Sequence, residues 1–235
     1  MRVSAIIPAY NEAARIGHTV SALARAAVAD EIIVVDDGSR DDTAAVAKGA
    51  GARVVGLARN QGKAAAVRRG FAEASGEAIL LLDADLGATA RAAGRLLDAL
   101  AEADLVIGCL PGGPRRGGVG AVVGLARWAM ARNGGGWIRA PLSGQRACRR
   151  RLLDSLPHWG SGFGLEVAMT LHALRCGARI VEVDVAAEHR VTGFDWPGFA
   201  HRARQFRDIA RTLWLWRRAG AGAVDPRGGP RTWMD

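Results

Sequence analysis

Short β-branched runs alternate with helical patterns along this chain at the spacing of βαβ units, and no other feature constrains its fold as much. "VSAII" (3–7), "EIIVV" (31–35), "RVVGL" (53–57), "AILLL" (78–82) and "DLVIG" (104–108) read as five strands. Helical patterns separate them: about Ala14 to Val28, a helix opened by Asp42 or Thr43, Lys63 to Ala74, and Thr89 to Leu100. Strands joined through helices run parallel, with the helices packed on the sheet faces. The expected fold class is therefore α/β, a Rossmann-like, mostly parallel sheet flanked by helices in a single domain. At 235 residues, 49% of them hydrophobic, the chain has enough length and apolar content for one substantial core.

Beyond Leu110 the regularity fades. "PGGPRRGG" (111–118) reads as a loop, followed by a helix from about Val119 to Arg132 that "NGGG" (133–136) breaks. A strand is expected near "LSGQRAC" (142–148), a helix over Leu165–Arg175, a strand at "ARIVEVDV" (178–185) and an Arg- and aromatic-rich helix from about Trp196 to Arg217. The start "MRVSAIIPAYNE" lacks the apolar region and cleavage site of a secretory signal, and no run of ~18 apolar residues occurs, so a cytoplasmic protein is expected. Cys109, Cys148 and Cys176 lie far apart without metal-ligand spacing and are expected to be free thiols. The net charge of +9 implies an anionic partner: phosphates of a small ligand, a nucleic acid or an acidic membrane surface.

Ligands of open parallel sheets bind beyond the carboxyl ends of the strands. Three of the expected strands end there in polar clusters: "PAYNE" (8–12), "DDGSRDDT" (36–43) and "DADLG" (83–87). Turn and capping chemistry accounts for any one of them; three at one edge point to a site. Asp83 and Asp85, two positions apart in extended backbone, project to the same side. Carboxylates that close need a countercharge. Their hard oxygens suit Mg²⁺ or Mn²⁺, which takes further ligands from substrate phosphates. The rival role, capping the helix that follows, is assigned to Thr89. Asp36 is placed to accept from the N–H of a base such as uracil, Tyr10 offers a ring, and the backbone at Pro8 and Ala9 permits close approach. Arg115 and Arg116 lie in the loop that would cover phosphates. Neither GxxxxGK[ST] nor GxGxxG occurs, which argues against P-loop and dinucleotide-binding proteins.

With "SAIIPAYNEA", "IIVVDDGSRDDT", "NQGKAAAVRRGFAEASGE" and "LLLDADLG" in this order, the chain resembles the GT-A glycosyltransferases of family 2, in particular the dolichol and polyprenyl-phosphate sugar synthases. The likeness is strong over 3–110 and weaker through "LSGQRACRR", "GFGLEVAMTLHALRCG" and "EVDVAAEHRVTGF". It implies a GT-A domain over 1–218, with a nucleotide-sugar-binding half (1–110) and an acceptor half (111–218); the Gly/Pro-rich composition of 219–235 predicts a disordered tail. It implies a nucleotide-sugar donor held by Pro8, Tyr10, Glu12 and Asp36, with Ala9 and Ala84 against it and Asp83 and Asp85 on Mg²⁺ or Mn²⁺. Lys63 matches a position near the donor, Arg190 a phosphate-contacting arginine, and His189 a third metal ligand or diphosphate contact. Two departures concern the subfamily: "DADLGAT" stands where those synthases often read DADLQHP, and "GCL" (108–110) where they carry GSR.

The implied reaction is inverting transfer, with the metal, Arg190 and an arginine of 111–118 stabilising the leaving diphosphate. Glu166 is the candidate general base if the acceptor is a hydroxyl, and an orienting residue if the acceptor is a phosphate. In the last helix, Phe199, Phe206, Leu213 and Trp216 repeat at helical spacing while Arg204, Arg207, Arg211 and Arg218 occupy another face. Such a helix either lies in an anionic membrane interface or packs its stripe on the sheet. The acceptor expected is a polyprenyl phosphate or another membrane-proximal group, at the inner face of the plasma membrane. A soluble transferase with a small acceptor is the rival, and a basic nucleic-acid-binding protein a more distant one, since acidic strand ends repel a phosphate backbone. The partners expected are thus a nucleotide-sugar donor, a lipid phosphate or membrane surface and a second copy of the chain, without nucleic acid.

Overall fold

The computed structural model describes residues 1–109, 120–162, 164–185, 196–218, 224–225 and 229–230. Arg115, Arg116, His189 and Arg190 lie outside the described residues. Five strands follow the expected order: β1 (Val3–Ala9), β2 (Glu31–Asp36), β3 (Arg53–Gly56), β4 (Ala78–Leu81) and β5 (Leu105–Cys109). Between them run α1 (Ala13–Ala26), α2 (Thr43–Gly49), α3 (Lys63–Glu73), a 3₁₀ helix (Gly87–Ala93) and α4 (Gly94–Leu100). The second half adds α5 (Gly120–Ala131), β6 (Arg146–Arg149), α6 (Arg150–Asp154), α7 (Gly164–Arg175), β7 (Ile180–Asp184) and α8 (Trp196–Arg218). Of the tail, Val224–Asp225 pairs antiparallel with Gly229–Pro230.

The seven strands form one sheet in the order β3-β2-β1-β4-β6-β5-β7. Every pairing is parallel except those of β6 with β4 and β5. Helices cover both faces, so the strands are apolar at successive positions rather than alternating. Ile6, Ile33, Val35, Ile79 and Leu81 face the layer of α3, α5, α7 and α8. Ala5, Ile7, Val34, Leu80 and Leu82 face α1, α2 and α4. Gly70 brings α3 close to the sheet, since a Cβ there would lie 2.5 Å from Ile6 Cγ2 and 2.9 Å from Val35 Cγ2.

Three expectations need correction. The helix placed over Thr89–Leu100 starts as a 3₁₀ turn, and Thr89 does not cap it: its hydroxyl donates to the Leu86 carbonyl at 2.6 Å. The Gly87 N–H goes instead to Thr19 Oγ1 at 2.8 Å. Only Arg146–Arg149 of the segment 142–148 and its neighbour is strand, because the buried Arg146 guanidinium folds back on the Ser143 and Pro141 carbonyls (2.8 and 2.9 Å) and holds 141–145 as a turn. In α8 the expected apolar stripe is divided: Trp216 is buried with Ile209 and Thr212, whereas Phe206 is exposed.

Candidate functional site

The register Ala9↔Asp36 and Ile6↔Leu81 sets the carboxyl ends of β2, β1 and β4 side by side. The antiparallel β6 begins at that same edge, with Arg146 opposite Leu81. Its leading residues therefore meet the loop that follows β4.

The first two polar clusters are laced together. Ser39 Oγ accepts the Asn11 N–H (2.9 Å), Asn11 Oδ1 accepts the Arg40 N–H (2.8 Å), and Thr43 Oγ1 accepts the Glu12 N–H (2.8 Å). Asn11 reaches its turn at φ 54°, a left-handed conformation that asparagine tolerates better than most residues. Much of "DDGSRDDT" is thus turn chemistry that sets the shape of the edge. Asp36 holds the Ser39 N–H through Oδ1 (2.9 Å). Asp37 is buried, and its two oxygens take the Gln61 and Gly62 N–H groups at 2.7 and 2.8 Å. That hook fixes "NQGK" and thereby aims Lys63.

Lys63 joins two carboxylates: its Nζ lies 2.7 Å from Asp83 Oδ1 and 2.9 Å from Glu166 Oε1. Burial lowers the ammonium pKa, but the attraction of Asp83 and Glu166 outweighs it, and the group stands above its ordinary value. Gln145 Nε2 donates to Asp83 Oδ2 at 2.7 Å and its Oε1 accepts the Asp83 N–H at 3.2 Å. Both oxygens of Asp83 are thus engaged. Gly144 permits this closeness, since a Cβ there would lie 2.5 Å from Lys63 Nζ and 2.6 Å from Asp83 Oδ2.

Beneath this pair, Glu166 in the first turn of α7 is 3% exposed, and its Oε2 has no hydrogen-bond partner among the described residues. Arg146, 1% exposed, donates to Thr170 Oγ1 at 2.8 Å as well as to the two carbonyls named above. Burial pushes its guanidinium down to about 10 against the pull of Glu166, so it stays charged at neutral pH. A cavity of about 10 Å³, room for one water, lies between Pro8, Lys63, Gly144, Arg146 and Glu166.

Asp85 differs from its neighbours. It is half-buried, caps no helix and makes no hydrogen bond or ion pair with any described residue. Lys63 and Arg146 balance Asp83 and Glu166, leaving Asp85 as the carboxylate in excess. A hard divalent cation fits it by charge and donor chemistry. Asp83 would have to give up a bond to Lys63 or Gln145 to share such an ion. Among the described residues no group of three His, Cys, Asp or Glu side chains is placed to hold a metal.

Of the other expected residues, Tyr10 is 40% exposed at the end of β1, Ala9 is buried and Pro8 borders the cavity. The Ala84 carbonyl is held by Thr19 Oγ1 at 2.8 Å. Glu12 precedes α1 and lies 3.6 Å from Arg15. The structure thus gathers Lys63, Asp83 and Glu166 in one cluster, with Asp85, Asp36 and Tyr10 along the same sheet edge. Sequence reasoning missed Asp37, Gln145 and Arg146. A signal was present for the last two, a Gln-Arg pair directly ahead of the apolar Ala147 and Cys148; none distinguished Asp37 from Asp36.

The family model described as Glycosyl transferase family 2 matches residues 4–149. The chain is 30% identical over 219 residues to the undecaprenyl-phosphate mannosyltransferase of Micrococcus luteus, covering 82% of this chain and 86% of that one. It is 32% identical over 197 residues to the glucosyl-3-phosphoglycerate synthase of Mycobacterium tuberculosis, covering 72% of this chain but only 60% of the relative. The crystal structure of that synthase with Mn²⁺, uridine diphosphate and phosphoglyceric acid superposes with a TM-score of 0.78 at 30% identity, over 93% of this chain and 78% of that one.

Proposed function

Because the chain belongs to glycosyl transferase family 2 and is a glycosyltransferase of GT-A fold, we propose that it moves a sugar from a uridine diphosphate donor, in the presence of Mn²⁺ or Mg²⁺, to a polyprenyl phosphate at a membrane surface. The observation that carries the donor half is Asp85 at the carboxyl edge, without a partner among the described residues, beside an Asp83 already fixed by Lys63 and Gln145. The solved relative holding Mn²⁺ and uridine diphosphate supports the same reading. Asp85 would hold the cation, with His189, which lies outside the described residues, as a second ligand. When bound, the cation neutralises charge on the diphosphate.

The chain's own residues then orient and polarise. Tyr10 and Asp36 flank the nucleoside position along the edge, and Arg115, Arg116 and Arg190, outside the described residues, are proposed to meet phosphates. Lys63 holds Asp83 still against Glu166, so that the sugar meets a preorganised carboxylate. Attack by the acceptor on the anomeric carbon forms the new C–O bond as the bond to the diphosphate oxygen breaks, with inversion. Glu166 is buried and paired to Lys63, which suits an orienting residue better than a base that must reach an acceptor hydroxyl. A phosphate acceptor is already anionic and needs no base, so this burial favours polyprenyl phosphate. The M. luteus relative, named for an undecaprenyl-phosphate acceptor, supports it. The second reading, a soluble acceptor such as phosphoglycerate, draws on the M. tuberculosis synthase.

Calorimetry of UDP- and GDP-sugars with and without Mn²⁺, on the native chain and Asp85→Asn, tests the donor site. Binding of the uridine donor should require Mn²⁺ and vanish in Asp85→Asn. Equal binding by both proteins would remove Asp85 from the metal site. Sugar transfer to a short-chain polyprenyl phosphate, compared with 3-phosphoglycerate, decides the acceptor.

A further inference from the structure

Among the described residues three tryptophans stand on the surface: Trp128 is 49%, Trp137 76% and Trp214 50% exposed. Each carries an arginine on its ring. Arg132 lies 5.3 Å from the Trp128 centroid, Arg127 4.2 Å from that of Trp137 and Arg218 3.8 Å from that of Trp214. Trp128 belongs to α5, Trp137 to the turn that follows it and Trp214 to α8, and α5 packs against α8. Leaving large indoles in water is costly, and the pairing does not cover them: the guanidinium occupies one face of each ring and leaves the rest open.

The segments that carry these rings are basic, although Glu182 and Asp184 of β7 answer Arg139 at 3.8 and 3.1 Å. Residues 120–139 contain three arginines and no acidic residue; residues 196–218 contain six arginines against Asp208 alone. Asp208 is largely buried, whereas Phe206, Arg207 and Arg211 lie exposed along α8 with Trp214 and Arg218. The buried side of the same helix, Ile209, Thr212 and Trp216, is consumed by packing. What faces outward is therefore a mixed array of indoles and guanidiniums.

We propose that the outward faces of α5 and α8, with Trp137, form a docking surface for an anionic lipid bilayer. Indoles prefer the headgroup region, where an apolar body and a polar N–H are both accommodated. Arg127 is spent on the Ile138 and Arg139 carbonyls, and the exposed Arg132, Arg211 and Arg218 are the guanidiniums left to meet lipid phosphates. A ring that already carries its own guanidinium suits insertion among headgroups better than stacking of a nucleotide base. No helix among the described residues is long and apolar enough to cross a membrane, so this surface supplies contact from one side. The inference rests on the polyprenyl-phosphate reading, whose acceptor lies in the membrane, and names the part of the molecule that brings the active edge to it.

Co-flotation of the full chain with phosphatidylglycerol/phosphatidylcholine vesicles tests this, with pure phosphatidylcholine vesicles and RNA as comparators. Binding should require the anionic lipid, weaken as salt is raised and shift tryptophan emission to the blue. Trp137→Ser with Trp214→Ser should lower vesicle partitioning by at least about tenfold while leaving the thermal midpoint and Mn²⁺-dependent donor binding unchanged. Unaltered partitioning in that double variant, no affinity for anionic vesicles, or displacement of the vesicles by RNA would each overturn the surface. A chain that glycosylates detergent-dispersed short-chain polyprenyl phosphate yet ignores vesicles would refute the docking surface and leave the acceptor reading standing. One that docks through these tryptophans but accepts no polyprenyl phosphate would do the reverse.

Discussion

Neighbouring residues of one type do different work along the carboxyl edge of the sheet. Asp36 is half-buried at the end of β2 while Asp37, one position on, is buried and ties down the loop before Lys63. Asp83 is fully engaged by Lys63 and Gln145, whereas Asp85 meets no described partner. The i, i+2 pattern predicts that both carboxylates reach one side, but not that a lysine from α3 neutralises the first. The closeness of that arrangement makes Gly144 its most sensitive neighbour. Gly144→Ala would push a methyl into the Lys63–Asp83 contact, and misplacing a polar group by about 1 Å is enough to cost on the order of a hundredfold in kcat. The expected result is a large fall in turnover with an almost unchanged melting temperature; native turnover would show that the pair tolerates displacement.

At the scale of elements, α3 shows how packing overrides propensity. Gly70 lies mid-helix, where alanine is favoured by about 1 kcal/mol. A Cβ there would meet Ile6 and Val35 of the sheet at 2.5 and 2.9 Å, and overpacking of that kind costs about 1–3 kcal/mol. Both neighbours are β-branched strand residues with little room to move, so the clash should win. Gly70→Ala is expected to lower the urea midpoint, and a raised midpoint would mean that the sheet yields. In α8 the helical period was legible, but not which residues it buries. Trp216 goes inward beneath Arg175, whose guanidinium lies 4.6 Å from its ring, and Trp214 goes outward. Two tryptophans two positions apart on a helix point to different sides, and only the packing of α7 and α5 decides which side is the interior.

At the scale of the whole molecule, pH sensitivity follows from a buried histidine that the site does not use. His172 in α7 is 4% exposed, hydrogen-bonded to Ser155 Oγ at 2.9 Å and set edge-on to Trp216. Burial, with the nearby Arg175 adding to it, lowers its pKa from an ordinary 6.5 to about 4. Between those values the unfolded chain takes up a proton that the folded one refuses, so stability falls as pH drops through that window, by up to about 3 kcal/mol. Urea titrations at pH 7 and 4.5 should show this loss, and His172→Gln should flatten it; an equal loss in the variant would assign it elsewhere. By itself the sequence determined the alternation of strands and helices, the parallel sense of the first five strands and the three polar clusters at one sheet edge, because strand period, crossover length and turn chemistry are local properties. It could not determine that β6 enters antiparallel between β4 and β5, bringing Gln145 and Arg146 to that edge, nor that Lys63 spans Asp83 and Glu166. Those contacts join residues far apart in the chain, and the tertiary structure alone decides them, since a buried charge is held only where distant elements bring it a countercharge.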